Sequence, residues 1–138
     1  MEKTEEAKLK VGSSVVLHRY RNMLDYYSKL LKNCGIATEV ISPDNPADYA
    51  SNSVKICTLS SVKGLEFDHV IIMELSSMII PSPDGFGQDN DEYHITTERK
   101  LLYTAMTRAK QSLFLFVPQA YPSMFIDEID KQFLTVIR

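Results

Sequence analysis

The chain has 138 residues, 44% of them hydrophobic and 24% charged, with a formal net charge of −3 at pH 7. This composition is typical of one globular domain with a hydrophobic core, and the mild charge excludes a protein that binds nucleic acid through a global basic field. The longest apolar run, over residues 69–80, is too short to cross a bilayer, and a charged N-terminus excludes a signal peptide, so we expect a cytoplasmic protein.

The first half of the chain predicts two strands around one helix. Residues 1–14 mix charges without periodicity, which predicts a polar lead-in or the edge of a longer protein. The sequence SVVLH predicts a short buried strand, and the residues that follow place apolar side chains at helical spacing until Gly35, a helix stop. A second strand is expected over 37–42, before a loop rich in proline and asparagine.

The second half predicts three more strands and one long helix. The expected elements are a strand over 54–59, a strand over 69–75, a long acidic and mobile loop over 81–94, a helix from Thr96 to Lys110 and a strand over 112–118. The connection between the first two of these strands leaves room only for a very short helix. Residues 119–138 predict a partly helical tail. The cysteines, Cys34 and Cys57, lack the spacing of a zinc site or a disulfide framework, which favours reduced thiols.

Apolar runs that alternate with helices predict an α/β domain, with a mostly parallel sheet flanked by helices on both faces. Ligands of such sheets gather where strands end, which draws attention to His18 and Arg19, to residues 58–67 and to the loops around Glu74 and Pro118. Arg108 borders the apolar stripe of the last helix, where its guanidinium can grip a phosphate or simply complement the helix dipole. We expect Arg19 and Arg108 to project from one edge of the sheet, with an anion between them.

The segment TLSSVKGLEF is the third candidate site. Its hydroxyl and basic residues can contact a nucleic-acid phosphate, and these are Thr58, Ser60, Ser61 and Lys63. Gly64 permits close approach of the backbone to a ligand, and Glu66 can accept a hydrogen bond from a ribose hydroxyl. A tight turn with a structural glycine explains the same residues equally well.

Three segments resemble a known family in the family's own order. TLSSVKGLEFDHVII and ERKLLYTAMTRAKQSLFL resemble two specific elements of the UvrD/Rep/PcrA-type superfamily-one DNA helicases, and VVLHRYRNMLDYYSKLLKNCGI resembles the preceding block. The resemblance implies that residues 15–118 form the second RecA-like motor domain, the UvrD-like C-terminal domain, with a three-layer fold related to the P-loop NTPases. It implies single-stranded DNA as a partner, together with an N-terminal P-loop domain of the same parent protein.

The resemblance also implies roles for individual residues. In that family the nucleotide lies between two motor domains, so Arg19 and Arg108 would contact the γ-phosphate and Glu66 the ribose. His18 stands where the family commonly has a tyrosine that stacks on adenine, and Gly64 belongs to the same nucleotide-binding group. In the family, the histidine of the T-x-H element contacts single-stranded DNA, and Ser60 takes the place of that histidine in this chain.

The phosphate-binding sequence GxxxxGK[ST] is missing from the chain. ATP with Mg²⁺ is therefore expected only in the full-length protein, and no cofactor is expected to bind tightly to this chain. The predicted function is that of a C-terminal motor-domain fragment of an ATP-dependent DNA helicase, inactive as an ATPase by itself. The alternative is a non-catalytic, stand-alone RecA-like module that binds protein or nucleic acid.

Overall fold

The computed structural model describes residues 13–46, 51–87 and 90–137. Their helices and strands are, in chain order, β1 (Ser14–His18), α1 (Leu24–Asn33), β2 (Thr38–Val40), β3 (Val54–Thr58), β4 (Phe67–Ile72), α2 (Asp91–Met106) and β5 (Ala109–Leu115). The strands form one parallel sheet in the order β2-β3-β1-β4-β5, which confirms the predicted α/β class. Within these ranges, no helix combines the length and the apolar character needed to span a bilayer.

The central strand β1 is buried on both faces, which explains why its sequence is apolar at consecutive positions. Val15 and Leu17 belong to the larger core cluster, to which Leu102 of α2 contributes. Val16 points to the opposite face and packs with Tyr27 of α1. The two helices therefore cover opposite faces of the sheet.

The direction of the strands gives the sheet two distinct edges. We call the edge where the strands end the carboxyl edge and the edge where they begin the amino edge. His18 pairs with Thr58 at the carboxyl edge, and Phe67 pairs with Ala109 at the amino edge. Because α2 runs back against the strands, its last residue lies close to the start of β5, at the amino edge.

The helix α2 begins five residues before its predicted start. The side chain of Asn90 accepts a hydrogen bond from the amide of Tyr93 and so caps the helix, and the acidic residues Asp91 and Glu92 in its first turn favour the positive end of the helix dipole. The prediction of a loop over 81–94 is therefore wrong from Asp91 onward. The acidic residues Asp91 and Glu92, which suggest a loop, instead favour the start of a helix. Between β3 and β4 the chain forms turns rather than the very short helix considered above.

The C-terminal tail is held against the domain by polar contacts. It contains two short 3-10 helices, Met124–Glu128 and Lys131–Phe133. The hydroxyl of Ser123 donates to the carbonyl oxygen of Ile80 at 2.6 Å. Arg99 of α2 donates to Glu128 and lowers the pKa of that carboxyl group. These contacts fix the tail over α2 and the segment that follows β4.

The two cysteines differ in environment, and this difference predicts their reactivity. Cys57 is fully buried in β3, and burial raises the pKa of its thiol to about 12, whereas Cys34 is exposed after α1. Because the thiolate is the reactive form, we expect iodoacetamide at pH 8 to label Cys34 in the native protein and Cys57 only after denaturation. Mass spectrometry of the labelled protein measures this. The Cys34→Ser variant should stay unlabelled until unfolded, and rapid native labelling of that variant would contradict the packing of β3.

Candidate functional site

Arg108 and Glu66 are neighbours at the amino edge of the sheet. Glu66 directly precedes Phe67, the first residue of β4, and Arg108 directly precedes Ala109, the first residue of β5. The amide of Phe67 donates to the carbonyl oxygen of Arg108 at 3.0 Å. Since adjacent strands are only about 4.8 Å apart, two motifs that are distant in sequence meet here.

The guanidinium of Arg108 is held by its own helix and is partly open to solvent. Its Nε donates to the carbonyl oxygen of Thr104 at 3.1 Å, and its Nη2 donates to the hydroxyl of Thr107 at 3.2 Å. No carboxylate among the described residues forms an ion pair with it. Because a guanidinium has five N–H donors, these contacts leave donors of Arg108 free to bind an anion.

Gly64 lies in the segment that connects the two edges between β3 and β4. Its φ of +81° is in the left-handed region, and a Cβ built on it would have no heavy atom within 4 Å. Backbone conformation rather than crowding therefore requires glycine here. Val62 anchors this segment in the core with no exposed surface, while the neighbouring Lys63 is exposed.

Three hydroxyl groups form a cluster at the carboxyl edge, directly after β3. Thr58 Oγ1 donates to Ser61 Oγ at 2.8 Å and accepts from the amide of Ser61 at 3.2 Å. Ser60 Oγ lies 3.1 Å from the same Thr58 oxygen. Thr58 is almost completely buried and Ser60 is exposed, so the cluster reaches from the core to the surface.

A cleft of about 520 Å³ opens beside this cluster, between the ends of β1, β2 and β3. We call it the β1–β3 cleft. The polar residues that line it include Arg19, Arg21, Ser42, Thr58, Ser60 and Ser61. The structure thus brings together Arg19 and three of the residues predicted to bind nucleic acid.

Arg19 is held in a forked ion pair with Glu98 of α2. Its Nε lies 3.0 Å from Glu98 Oε1 and its Nη2 lies 3.1 Å from Oε2. Glu98 is only 3% exposed and also accepts a hydrogen bond from the amide of Ser82 at 2.8 Å. This geometry, with two parallel hydrogen bonds between charged groups, makes the pair strong and fixes the orientation of the Arg19 side chain.

The prediction that Arg19 and Arg108 project from one edge is wrong. Arg19 follows β1 and lies at the carboxyl edge, whereas Arg108 lies between α2 and β5 at the amino edge. A strand such as β4, with six residues, is about 20 Å long. The two guanidinium groups therefore share no anion, and the charge of Arg19 is already balanced by Glu98.

The structure does not present His18 for stacking on a nucleotide base, a possibility that the resemblance raised. His18 has no exposed surface and lies at the carboxyl edge. Its Nδ1 accepts from the amide of Tyr20 at 2.9 Å, so Nε2 of the neutral ring carries the proton and donates to Glu74 at 2.6 Å. The hydroxyl of Tyr27 donates to the same Glu74 oxygen, and burial together with Glu74 raises the pKa of Tyr27. His18 thus orients its neighbours from within the core.

A second cleft, of about 510 Å³, lies at the carboxyl edge beyond β4 and β5, and its lining is mainly apolar. Phe116 and Tyr121 contribute exposed aromatic side chains to it, with 51% and 73% of their surface accessible. Glu74 and Pro118, at strand ends where ligands of such a sheet are expected to gather, both line this cleft. The sequence analysis does not single out its aromatic side chains, although Phe114 and Phe116 stand at alternate positions near the end of β5.

Comparison with known proteins reveals relatives among DNA helicases. The chain is 40% identical over 67 residues to the "ATP-dependent DNA helicase Rep" of Buchnera aphidicola subsp. Schizaphis graminum, which covers 49% of this chain and 10% of that protein. It is 32% identical over 126 residues to a "Probable DNA helicase" of Mycoplasma pneumoniae, covering 86% of this chain and 21% of that protein. The chain therefore spans only about a tenth to a fifth of these two relatives.

A solved structure shares the fold, and a protein family matches the sequence. The crystal structure of the C-terminal domain of a possible DNA helicase from Lactobacillus plantarum WCFS1 superposes with a TM-score of 0.62 at 21% identity, covering 95% of this chain and 68% of that one. At this identity the likeness shows the fold alone. The family described as the UvrD-like helicase C-terminal domain matches residues 27–119, most of the chain. The chain belongs to the UvrD-like helicase C-terminal domain family.

Proposed function

We propose that this chain is the second motor domain of an ATP-dependent DNA helicase, with ATP at its amino edge and single-stranded DNA at its carboxyl edge. The observation that carries the proposal is the adjacency of Arg108 and Glu66 at the amino edge, where Arg108 keeps free donors. The two edges lie about 20 Å apart, so the two ligands would occupy separate surfaces of one rigid sheet.

The amino edge fits the triphosphate of a nucleotide that a neighbouring P-loop domain holds. ATP supplies the phosphoryl group that is transferred to water. Arg108 donates hydrogen bonds to the γ-phosphate oxygens and stabilises the negative charge that they carry during the transfer. Glu66 accepts a hydrogen bond from a ribose hydroxyl, and Gly64 lets the backbone approach the ligand.

Magnesium, in this proposal, is held by the N-terminal P-loop domain of the same parent protein. Within the described part of the chain, no three His, Cys, Asp or Glu side chains form a cluster that fits a metal ion. Arg19 is not included in the nucleotide group, because it lies at the opposite edge and is paired with Glu98.

The carboxyl edge fits a single strand of DNA. Ser61 offers the hydrogen of its hydroxyl group to the phosphates, Ser60 lies exposed beside it and donates to Thr58, and Lys63 is an exposed cation on the same connection. The exposed rings of Phe116 and Tyr121 provide surfaces on which bases can stack. Contacts of these two kinds do not depend on the base sequence, and the phosphate contacts weaken as the salt concentration rises.

The test is ATP hydrolysis by the complete protein that carries this chain, measured with and without a single-stranded dT oligomer. We expect hydrolysis that the oligomer stimulates. Strand binding without any hydrolysis would instead favour the stand-alone binding module. Loss of both would contradict the proposed function as a whole.

The hydroxyl cluster gives a second prediction. The double variant S60A/S61A should raise the Kd for a dT oligomer by about tenfold, because a hydrogen bond to a charged phosphate contributes about 1.5 kcal/mol or more. Fluorescence anisotropy of a labelled oligomer measures the Kd. The control is T135A, which removes an exposed hydroxyl from the tail. Equal Kd values for the double variant and the wild type would remove Ser60 and Ser61 from the binding surface.

A further inference from the structure

The β1–β3 cleft is lined by two arginines that differ in their partners. The charge of Arg19 is balanced by the buried carboxylate of Glu98. Arg21 begins the short 3-10 helix that follows β1 and is exposed. No carboxylate of the described residues lies within ion-pair distance of Arg21. Between these two arginines, Arg21 is the one whose charge can act on a ligand of the cleft.

Hydrogen-bond accounting at the back of the cleft identifies a free donor. The hydroxyl of Thr58 has one hydrogen, and it donates this hydrogen to Ser61 at 2.8 Å. Ser60, 3.1 Å from the same Thr58 oxygen, must then be the donor of that pair. The hydrogen of the Ser61 hydroxyl remains available to a ligand. Ser61 and Arg21 both line the cleft, so a neutral donor and a cation face one space.

A singly charged phosphodiester matches this combination, because Arg21 can donate two parallel hydrogen bonds to its oxygens while Ser61 donates a third. We propose that Arg21 binds a backbone phosphate of single-stranded DNA in the β1–β3 cleft. The inference rests on the proposed function, since it adds a specific phosphate contact to the strand-binding edge.

The test is the salt dependence of DNA binding. For single strands, log K falls against log salt concentration with a slope of about −0.7 for each phosphate contact. Arg21→Gln should therefore make the slope shallower by about 0.7 and weaken binding about fivefold at 0.1 M salt. Arg21→Lys should retain the wild-type slope. The matched control is Lys131→Gln, which removes an exposed charge from the tail and should leave the slope unchanged.

Four outcomes decide the matter when a dT oligomer is titrated, at several salt concentrations, into the complete protein that carries this chain. A shallower slope for Arg21→Gln alone supports the phosphate contact. An unchanged slope for Arg21→Gln, or an equal change for Lys131→Gln, overturns it while the proposed function stands. If wild type binds no oligomer, the strand-binding function itself fails. Finally, if inorganic phosphate at constant ionic strength displaces the oligomer from wild type but not from Arg21→Gln, the cleft is a free-phosphate site and the inference is wrong.

Discussion

Replacing Arg108 by alanine should lower the DNA-stimulated rate of ATP hydrolysis by about 10³- to 10⁵-fold, the range known for arginines that stabilise a transferring phosphoryl group. The side chain keeps free donors at the amino edge and is not tied to a carboxylate of the described residues, so its charge is available for this role. The expected loss is in kcat, measured at saturating ATP and single-stranded DNA with the complete protein.

Two control variants separate this role from a structural one. Arg108→Lys keeps the charge but loses the forked geometry, so we expect only partial activity. Arg99→Ala removes another arginine from the same helix, where it pairs with Glu128 of the tail, and should leave kcat unchanged. Strand binding by Arg108→Ala should match wild type, because the proposed DNA surface lies at the opposite edge. A kcat within tenfold of wild type would remove Arg108 from the nucleotide site.

Most of the fold could be predicted from the local pattern of apolar residues in the sequence. The runs around Val16 and Ile71 are apolar at successive positions because both faces of these central strands are covered, and this pattern predicts a parallel sheet. The start of α2 was missed for a local reason, since Asp91 and Glu92 were interpreted as loop residues although acidic residues also favour a helix N-terminus. Weighing the cap residue Asn90 would have corrected the boundary.

The candidate site could be predicted only in part. The sequence identified Glu66 and Arg108 as candidates, and the structure makes them neighbours. The shared edge expected for Arg19 and Arg108 was an error of topology, because a residue after a strand and a residue between a helix and the next strand lie at opposite edges of a parallel sheet. The chain order of the predicted elements already contained this information.

The partners of Arg19 and His18 could not be read from sequence. Glu98 belongs to a charged triplet, Glu98-Arg99-Lys100, and nothing local shows that it is buried while the other two are not. Its burial follows from the way α2 packs over the sheet, which is a tertiary contact. His18 likewise looks like a residue at the exposed end of a strand, yet Glu74, distant in sequence, covers it and satisfies its ring nitrogen.

The second large effect concerns stability. Arg19→Ala should lower the free energy of unfolding by about 3–5 kcal/mol, because it leaves the carboxylate of Glu98 buried without its partner. The amide of Ser82 still donates to Glu98, but one hydrogen bond does not replace a forked ion pair. Urea unfolding of the variant and the wild type measures the difference. The carboxyl edge should lose order as well, since Arg19 begins the turn that carries Arg21.

A comparison with a surface pair decides whether burial is the cause. Arg99 and Glu128 form a pair with similar distances, but both side chains are about a third exposed, so Arg99→Ala should cost much less than Arg19→Ala. In Arg19→Met/Glu98→Met the unpaired buried charge disappears, and much of the lost stability should return. If Arg19→Ala cost no more than Arg99→Ala, Glu98 would have to reach water or another partner once Arg19 is gone. The ion pair would then orient Arg19 without stabilising the domain.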